Sequence, residues 1–224
     1  KVGYLQKNKE WPMADYKDVK YNVDYSDTSG AGGLIRLATN HQATTDGDDG
    51  AATMDFTSGI DSTYDVYLFE LNGMIPHGTD QLAVQADIGT ATSYAQTNTS
   101  MVNTWYHAAA DNSVGHGGHG GPTDNDTGFF KFGPPQKGSG SDDNEDRGAI
   151  GGYMYLFNPS STVFEKHFIM KMGGTANSGG AHYTELYEGA GYFQQTAAIT
   201  RIRFKYNGGS RIDGGRITMY GLVK

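Results

Sequence analysis

The chain has 224 residues, no cysteine and a formal charge of −8, from 25 acidic against 17 basic side chains. Without cysteine there are no disulfides, thiolate zinc sites, iron–sulfur clusters or cysteine nucleophiles, and the acidic balance argues against nucleic acid or an anionic membrane surface as the partner. The longest apolar run, Tyr153 to Phe157, is five residues, far short of the ~20 that a membrane-crossing helix needs.

Residues 1–32 carry Lys1, Lys7, Lys9, Lys17 and Lys20 among scattered aromatics, with no clean period of 2 or 3.6. They read as an extended N-terminal arm ending at the glycine cluster before Gly33. Two readings stand: a fraying terminus, or a docking arm anchored on a neighbouring subunit through Tyr4, Trp11, Tyr16 and Tyr21, since each buried aromatic contributes about 2 kcal/mol. The first residue is lysine and no apolar leader follows, so the chain is expected to be processed or trimmed.

From Gly33 onward, strand signals follow one another. Leu34 to Thr39 and Ala51 to Thr57 are predicted strands around the turn cluster Asp46 to Gly50. Tyr64 to Leu71 is apolar on both faces, as a central strand would be. Gln81 to Ile88 alternates, with Leu82, Val84, Ala86 and Ile88 on one face. Asn103 to Ala109 and Gly128 to Phe132 are shorter candidates. Tyr153 to Phe157 and Val163 to Met172 flank the turn Asn158-Pro159-Ser160-Ser161-Thr162. Tyr183 to Tyr187 and Gly191 to Gln194 follow as two short strands. Ile202, Phe204 and Tyr206 then alternate with Arg201, Arg203 and Lys205, closed by Asn207-Gly208-Gly209, and Arg216 to Val223 is last. About ten strands with short turns and no helical period predict an antiparallel all-β sandwich over 33–224, of jelly-roll type. The 33 glycines, about twice the usual ~7% share, fit a turn-rich β protein. Residues 110–127, rich in Gly, His and Asp, and 133–147, with a block of acids, are expected as long exposed loops.

Chemistry is sparse. His116 and His119, with His107 upstream and Asp124 or Asp111 nearby, have the residue types for a divalent metal, but ordering so many glycines opposes it. The clusters Asp46/Asp48/Asp49, Asp124/Asp126 and Asp142 to Asp146 read first as solvated charge and second as calcium ligands. Trp105, Tyr106 and Tyr94 are candidate glycan or receptor contacts, because sugar rings stack on aromatic faces; core positions are the competing reading. Arg201, Arg203 and Lys205 form a basic stripe, either a solvated strand face or one turned to a partner. No G-x-S-x-G, P-loop or H-E-x-x-H is present, and no catalytic residue or cofactor is expected.

Four segments carry a family resemblance: FTSGIDSTYDVYLFEL (Phe56 to Leu71), YLFNPSSTVFEKHF (Tyr155 to Phe168), GYFQQTAAITRIRFKYNGG (Gly191 to Gly209) and IDGGRITMYGLVK (Ile212 to Lys224). They resemble a family of virion structural proteins of tailed bacteriophages, and the closing G-x-I-x-x-Y-G strand is the most specific mark. The resemblance spans Gly33 to Lys224 and leaves out the arm. It implies a non-enzymatic β-sandwich module displayed on the particle, a tail-fibre part for host recognition or a head-fibre or capsid-decoration protein. It also implies other virion proteins as partners, and with them go a homo-oligomer, a trimer being favoured, and a host surface glycan as a further partner. The expected place is the virion surface, after folding in the host cytoplasm, which the lack of cysteine fits.

Overall fold

The computed structural model describes residues 33–43, 50–78, 80–110, 114–118, 126–132, 149–178 and 181–223. The arm 1–32 with its four aromatic anchors, the 133–147 loop, His119 and Asp124 lie outside these residues.

Alternating apolar residues between turn-forming clusters produce strands wherever the sequence keeps a period of two. The described residues form twelve: β1 (Leu34–Gln42), β2 (Met54–Phe56), β3 (Val66–Pro76), β4 (Leu82–Ile88), β5 (Asn98–Ala108), β6 (Val114–Gly118), β7 (Phe130–Lys131), β8 (Ile150–Phe157), β9 (Lys166–Ser178), β10 (Ala181–Phe193), β11 (Ile199–Tyr206) and β12 (Ile212–Leu222). All pairings between them are antiparallel. They make an eight-stranded sheet, β1-β12-β3-β8-β9-β10-β5-β6, and a four-stranded sheet, β2-β11-β4-β7. The two sheets pack face to face as a sandwich. The eight-and-four division shows the sandwich; it does not show the two Greek keys that define a jelly roll.

The core between the sheets is aromatic and methionine-rich. Phe204 of β11 meets Phe69 of β3 with ring centroids 5.5 Å apart, and Phe56 and Phe132 at 6.2 Å each. Phe168 bridges Phe130 and Phe193 at 5.3 and 5.2 Å. Met154, Met170, Met172 and Met219 fill the spaces between these rings from the large sheet, all buried. Each such side chain contributes about 1.5–3 kcal/mol on burial.

Three strand predictions change. Tyr183 to Tyr187 and Gly191 to Gln194 are one strand, β10. The glycines between them mark close packing, not a turn: a Cβ at Gly189 would lie 2.8 Å from the Met101 carbonyl, and one at Gly191 2.6 Å from the Phe168 ring. The His/Gly segment expected as a loop contains β6, which pairs with β5 from Asn103↔Gly118 to His107↔Val114. The strand predicted over Ala51 to Thr57 shrinks to Met54–Phe56, preceded by an isolated bridge from Ala51 to Ile212.

The turn between β8 and β9 is held from inside. Asn158 takes a left-handed φ of 46°, a conformation asparagine tolerates better than most residues. The Ser161 hydroxyl accepts from the Val163 and Phe164 amides. Lys166 points inward, fully buried, and its ammonium donates to the carbonyls of Phe164 and Gln195 at 2.9 and 2.8 Å. Burial pulls this amine below the ordinary lysine pKa.

Candidate functional site

The basic stripe lies on the outer face of the small sheet, where the alternation of β11 puts it. Its cations are engaged within the chain. Arg203 makes a two-pronged pair with Asp55 of β2, with Nε 2.7 Å from Oδ1, and its guanidinium lies 3.9 Å from the centre of the Tyr94 ring. Pairing with Asp55 raises the Arg203 pKa. Arg201 donates to the Gly89 carbonyl at 3.2 Å, and the Lys205 ammonium sits 4.8 Å from the centre of the Phe129 ring.

Beside the stripe, the 89–97 loop folds over β4. Asp87 is fully buried and is the loop's anchor. It accepts from the backbone amides of Tyr94 at 2.7 Å and Ile88 at 2.9 Å, from the Gln96 side chain at 2.9 Å and from the Ser93 hydroxyl at 3.3 Å. Burial alone would raise its pKa; the amide donors outweigh it and hold the carboxyl below its ordinary value. Gln85, also buried, donates to the carbonyls of Gln96, Thr127 and Gly128 and ties in the next segment. Tyr94 is therefore a clamp residue. It is 2% exposed, has φ 47° and has a ring face under Arg203, which corrects the expectation that it contacts a glycan.

Trp105 and Tyr106 are neighbours in β5 and so point to opposite faces. Trp105 is 39% exposed on the outer face of the large sheet, between Leu186 of β10 and His116 of β6. Tyr106 turns to the other face, edge-on to Tyr183 at 5.9 Å, with its hydroxyl where a Cβ on Gly115 would stand. The two rings form no common platform. His107 shares the Trp105 face, two residues along, and pairs in register with Val114. Among the described residues no group of three or more His, Asp or Glu side chains is placed to hold a metal ion.

The broadest surface feature escapes sequence reasoning: the outer face of the eight-stranded sheet. The registers align its outward side chains in rows across the strands. One row runs Met101, Ala190, Ile169, Tyr155, Leu68 and Tyr220, and ends at Arg36 on the edge strand β1. A parallel row holds Tyr192 and His167 on one side and Phe157, Val66, Leu222 and Leu34 on the other. A third, polar row holds Asn103, Glu188, Lys171, Tyr153, Glu70 and Thr218. Met101, Ile169 and Leu34 are 55, 44 and 42% exposed. Two open grooves cut this face. One, of about 380 Å³, is almost entirely apolar and runs between Met101, Ile169 and the His167–Tyr192 ring pair. The other, of about 510 Å³, lies between Leu34, Leu68, Tyr153, Tyr155 and Tyr220 and is floored by Glu70, which accepts from the Tyr220 hydroxyl at 3.0 Å.

Sequence reasoning also passed over His77 and Asp213, whose side chains meet at 3.1 Å and join the end of β3 to the start of β12. They are 136 residues apart, so spacing carries no signal of the pair.

No protein-family model matches the chain, and no curated protein and no solved structure is significantly similar to it. The reading of function rests on the residues and on the geometry above.

Proposed function

We propose that this protein is a non-enzymatic structural component of a tailed-phage virion, displayed on the particle as a fibre-type module for host-surface recognition. The observation that carries the reading is where the family-like segments fall. Ile212 to Lys224 supplies β12, Phe56 to Leu71 supplies much of β3, and Tyr155 to Phe168 supplies the end of β8, its turn and the start of β9. These are consecutive strands at the centre of the large sheet, and the fourth segment, Gly191 to Gly209, supplies the end of β10 and the whole of β11 in the small sheet, so the resemblance spans both layers. Its mechanism is presentation of many copies: weak single contacts, summed over one particle, reach an avidity about 10²–10⁴ above that of one site. Trp105, exposed on a sheet face beside the β5–β6 edge, is the candidate glycan contact.

A second reading, capsid decoration, is favoured by the shape of the large sheet's outer face. It is broad and apolar with open grooves, a form suited to packing against another protein surface. Quantitative mass spectrometry of purified particles separates the two. Copy number at the low level set by tail symmetry supports the fibre, and copy number matching the capsid lattice supports decoration. Absence of the chain from particles refutes both.

A further inference from the structure

We propose that the outer face of the eight-stranded sheet is a self-association surface, and that it pairs two copies of this chain about a two-fold axis running along β8. The proposal rests on strand register and surface chemistry; it does not need the fibre reading, and it gives to a second copy the face that the decoration reading gives to the capsid.

A sheet with an apolar face gains stability by covering it, and the small sheet covers only the inner face. The three outward rows span seven strands. At about 4.8 Å per strand and about 6.8 Å between rows, they project over about 30 by 20 Å. With side-chain relief this approaches the roughly 800 Å² that a standard interface takes from each partner. The two apolar rows take about 400 Å² of this, within the roughly 300–600 Å² of the largest, often functional patch on a typical monomer.

The order of residues within the rows selects the symmetry. A two-fold axis along β8 keeps each row level with itself and reverses the strand order, because β8 has three of the seven strands on either side. Apolar rows then lie on apolar rows. In the polar row, Glu70 of β3 comes to face Lys171 of β9 in the second copy, and Lys171 faces that copy's Glu70. Within one chain Tyr153 stands between these two and Glu70 holds the Tyr220 hydroxyl, so a cross-interface pair adds to the contacts each already makes. Lys171 is 44% exposed on its own sheet and already pairs with Glu188. In the apolar row Leu68 comes to face Ile169. Stacked sheets cross at about 30°, which displaces outer strands most and those next to the axis least. The Glu70–Lys171 pairing, one strand from the axis, is thus the best-determined contact.

Sedimentation velocity of the full chain across a concentration series tests the proposal. The expected result is a monomer–dimer equilibrium. Ile169→Asp, at a position exposed enough to leave folding intact, is expected to raise the dissociation constant tenfold or more. Arg201→Glu, on the opposite sheet, is expected to leave it within twofold. Glu70→Lys and Lys171→Glu are each expected to weaken self-association, because like charges then meet. Mixing these two variants is expected to restore dimers. In the mixed pair the two substituted side chains face each other with opposite charge, and the native Lys171 of one copy faces the native Glu70 of the other. A change that merely damaged the fold would not be rescued. A chain that stays monomeric at all concentrations, a three-fold assembly, a dimer indifferent to Ile169→Asp, or a mixture no tighter than its components overturns the proposal.

Discussion

Asp87 offers the sharpest test of how the small sheet is built. Its carboxylate is fully buried and is the acceptor for the Tyr94 and Ile88 amides and for the Gln96 and Ser93 side chains. Asp87→Ala removes all four interactions at once. The Tyr94 amide is itself buried, and an unsatisfied buried donor costs about 1–3 kcal/mol. The other donors lie nearer solvent and recover part of their loss from water, so the total is expected at about 2–4 kcal/mol. For a chain of this length each kcal/mol moves the midpoint by about 2–4 °C, and a fall of about 4–16 °C is expected in thermal unfolding followed by near-ultraviolet circular dichroism. The pH dependence has a fixed sign. The folded-state pKa of Asp87 is depressed, so its stabilisation is complete above the unfolded value of about 3.9 and is lost as pH falls through the lower folded value. The gap between wild type and Asp87→Ala therefore stays constant down to about pH 4 and narrows below it. A loss under about 0.5 kcal/mol at neutral pH, or a gap that does not narrow in acid, refutes the assignment of Asp87 as the loop's anchor.

Other expectations follow from the same geometry. Gly191→Ala puts a methyl 2.6 Å from the Phe168 ring and 2.7 Å from the Thr99 carbonyl; a loss of about 1–3 kcal/mol in urea unfolding is expected, the usual cost of overpacking. Trp105→Ala is expected to leave stability within about 1 kcal/mol and to abolish any glycan-array signal, whereas Tyr106→Ala, on the other face, keeps it; binding that survives loss of Trp105 removes the ring from the recognition surface. Deleting residues 1–30 is expected to leave a soluble, folded body that no longer enters particles. Aggregation of the truncated chain would place those residues in the core.

The alternation of Leu82, Val84 and Ala86, and of Ile202, Phe204 and Tyr206, was sufficient to predict β4 and β11 and the face each turns to the core. The antiparallel sandwich followed from such segments joined by short turns. The division into eight and four strands did not, because a period of two says which way a side chain points and nothing about which strand lies alongside. Gly189 and Gly191 misled for a related reason: glycine serves a turn or a close approach equally well, and only the ring of Phe168 shows which. At the surface, period two correctly put Arg201, Arg203 and Lys205 on one face but could not show Asp55, Gly89 and Phe129 waiting there. Tyr94 stayed open between glycan contact and core position because its burial depends on Asp87 and Arg203, one seven residues and the other 109 residues away. The outer face of the large sheet was half visible. Tyr64 to Leu71 and Tyr153 to Phe157 are apolar on both sides, which suits a strand covered twice; among the described residues the small sheet covers one of those faces.

The central claim, that this chain is built into the surface of a tailed-phage particle, meets its most direct test in electron microscopy of purified virions decorated with a gold-labelled antibody against the 33–224 body. The account predicts label at fixed, symmetry-related positions on the outside of intact particles, on the tail fibres or over the head. Intact virions that bind no antibody, while the free protein from the same lysate binds it fully, would contradict it.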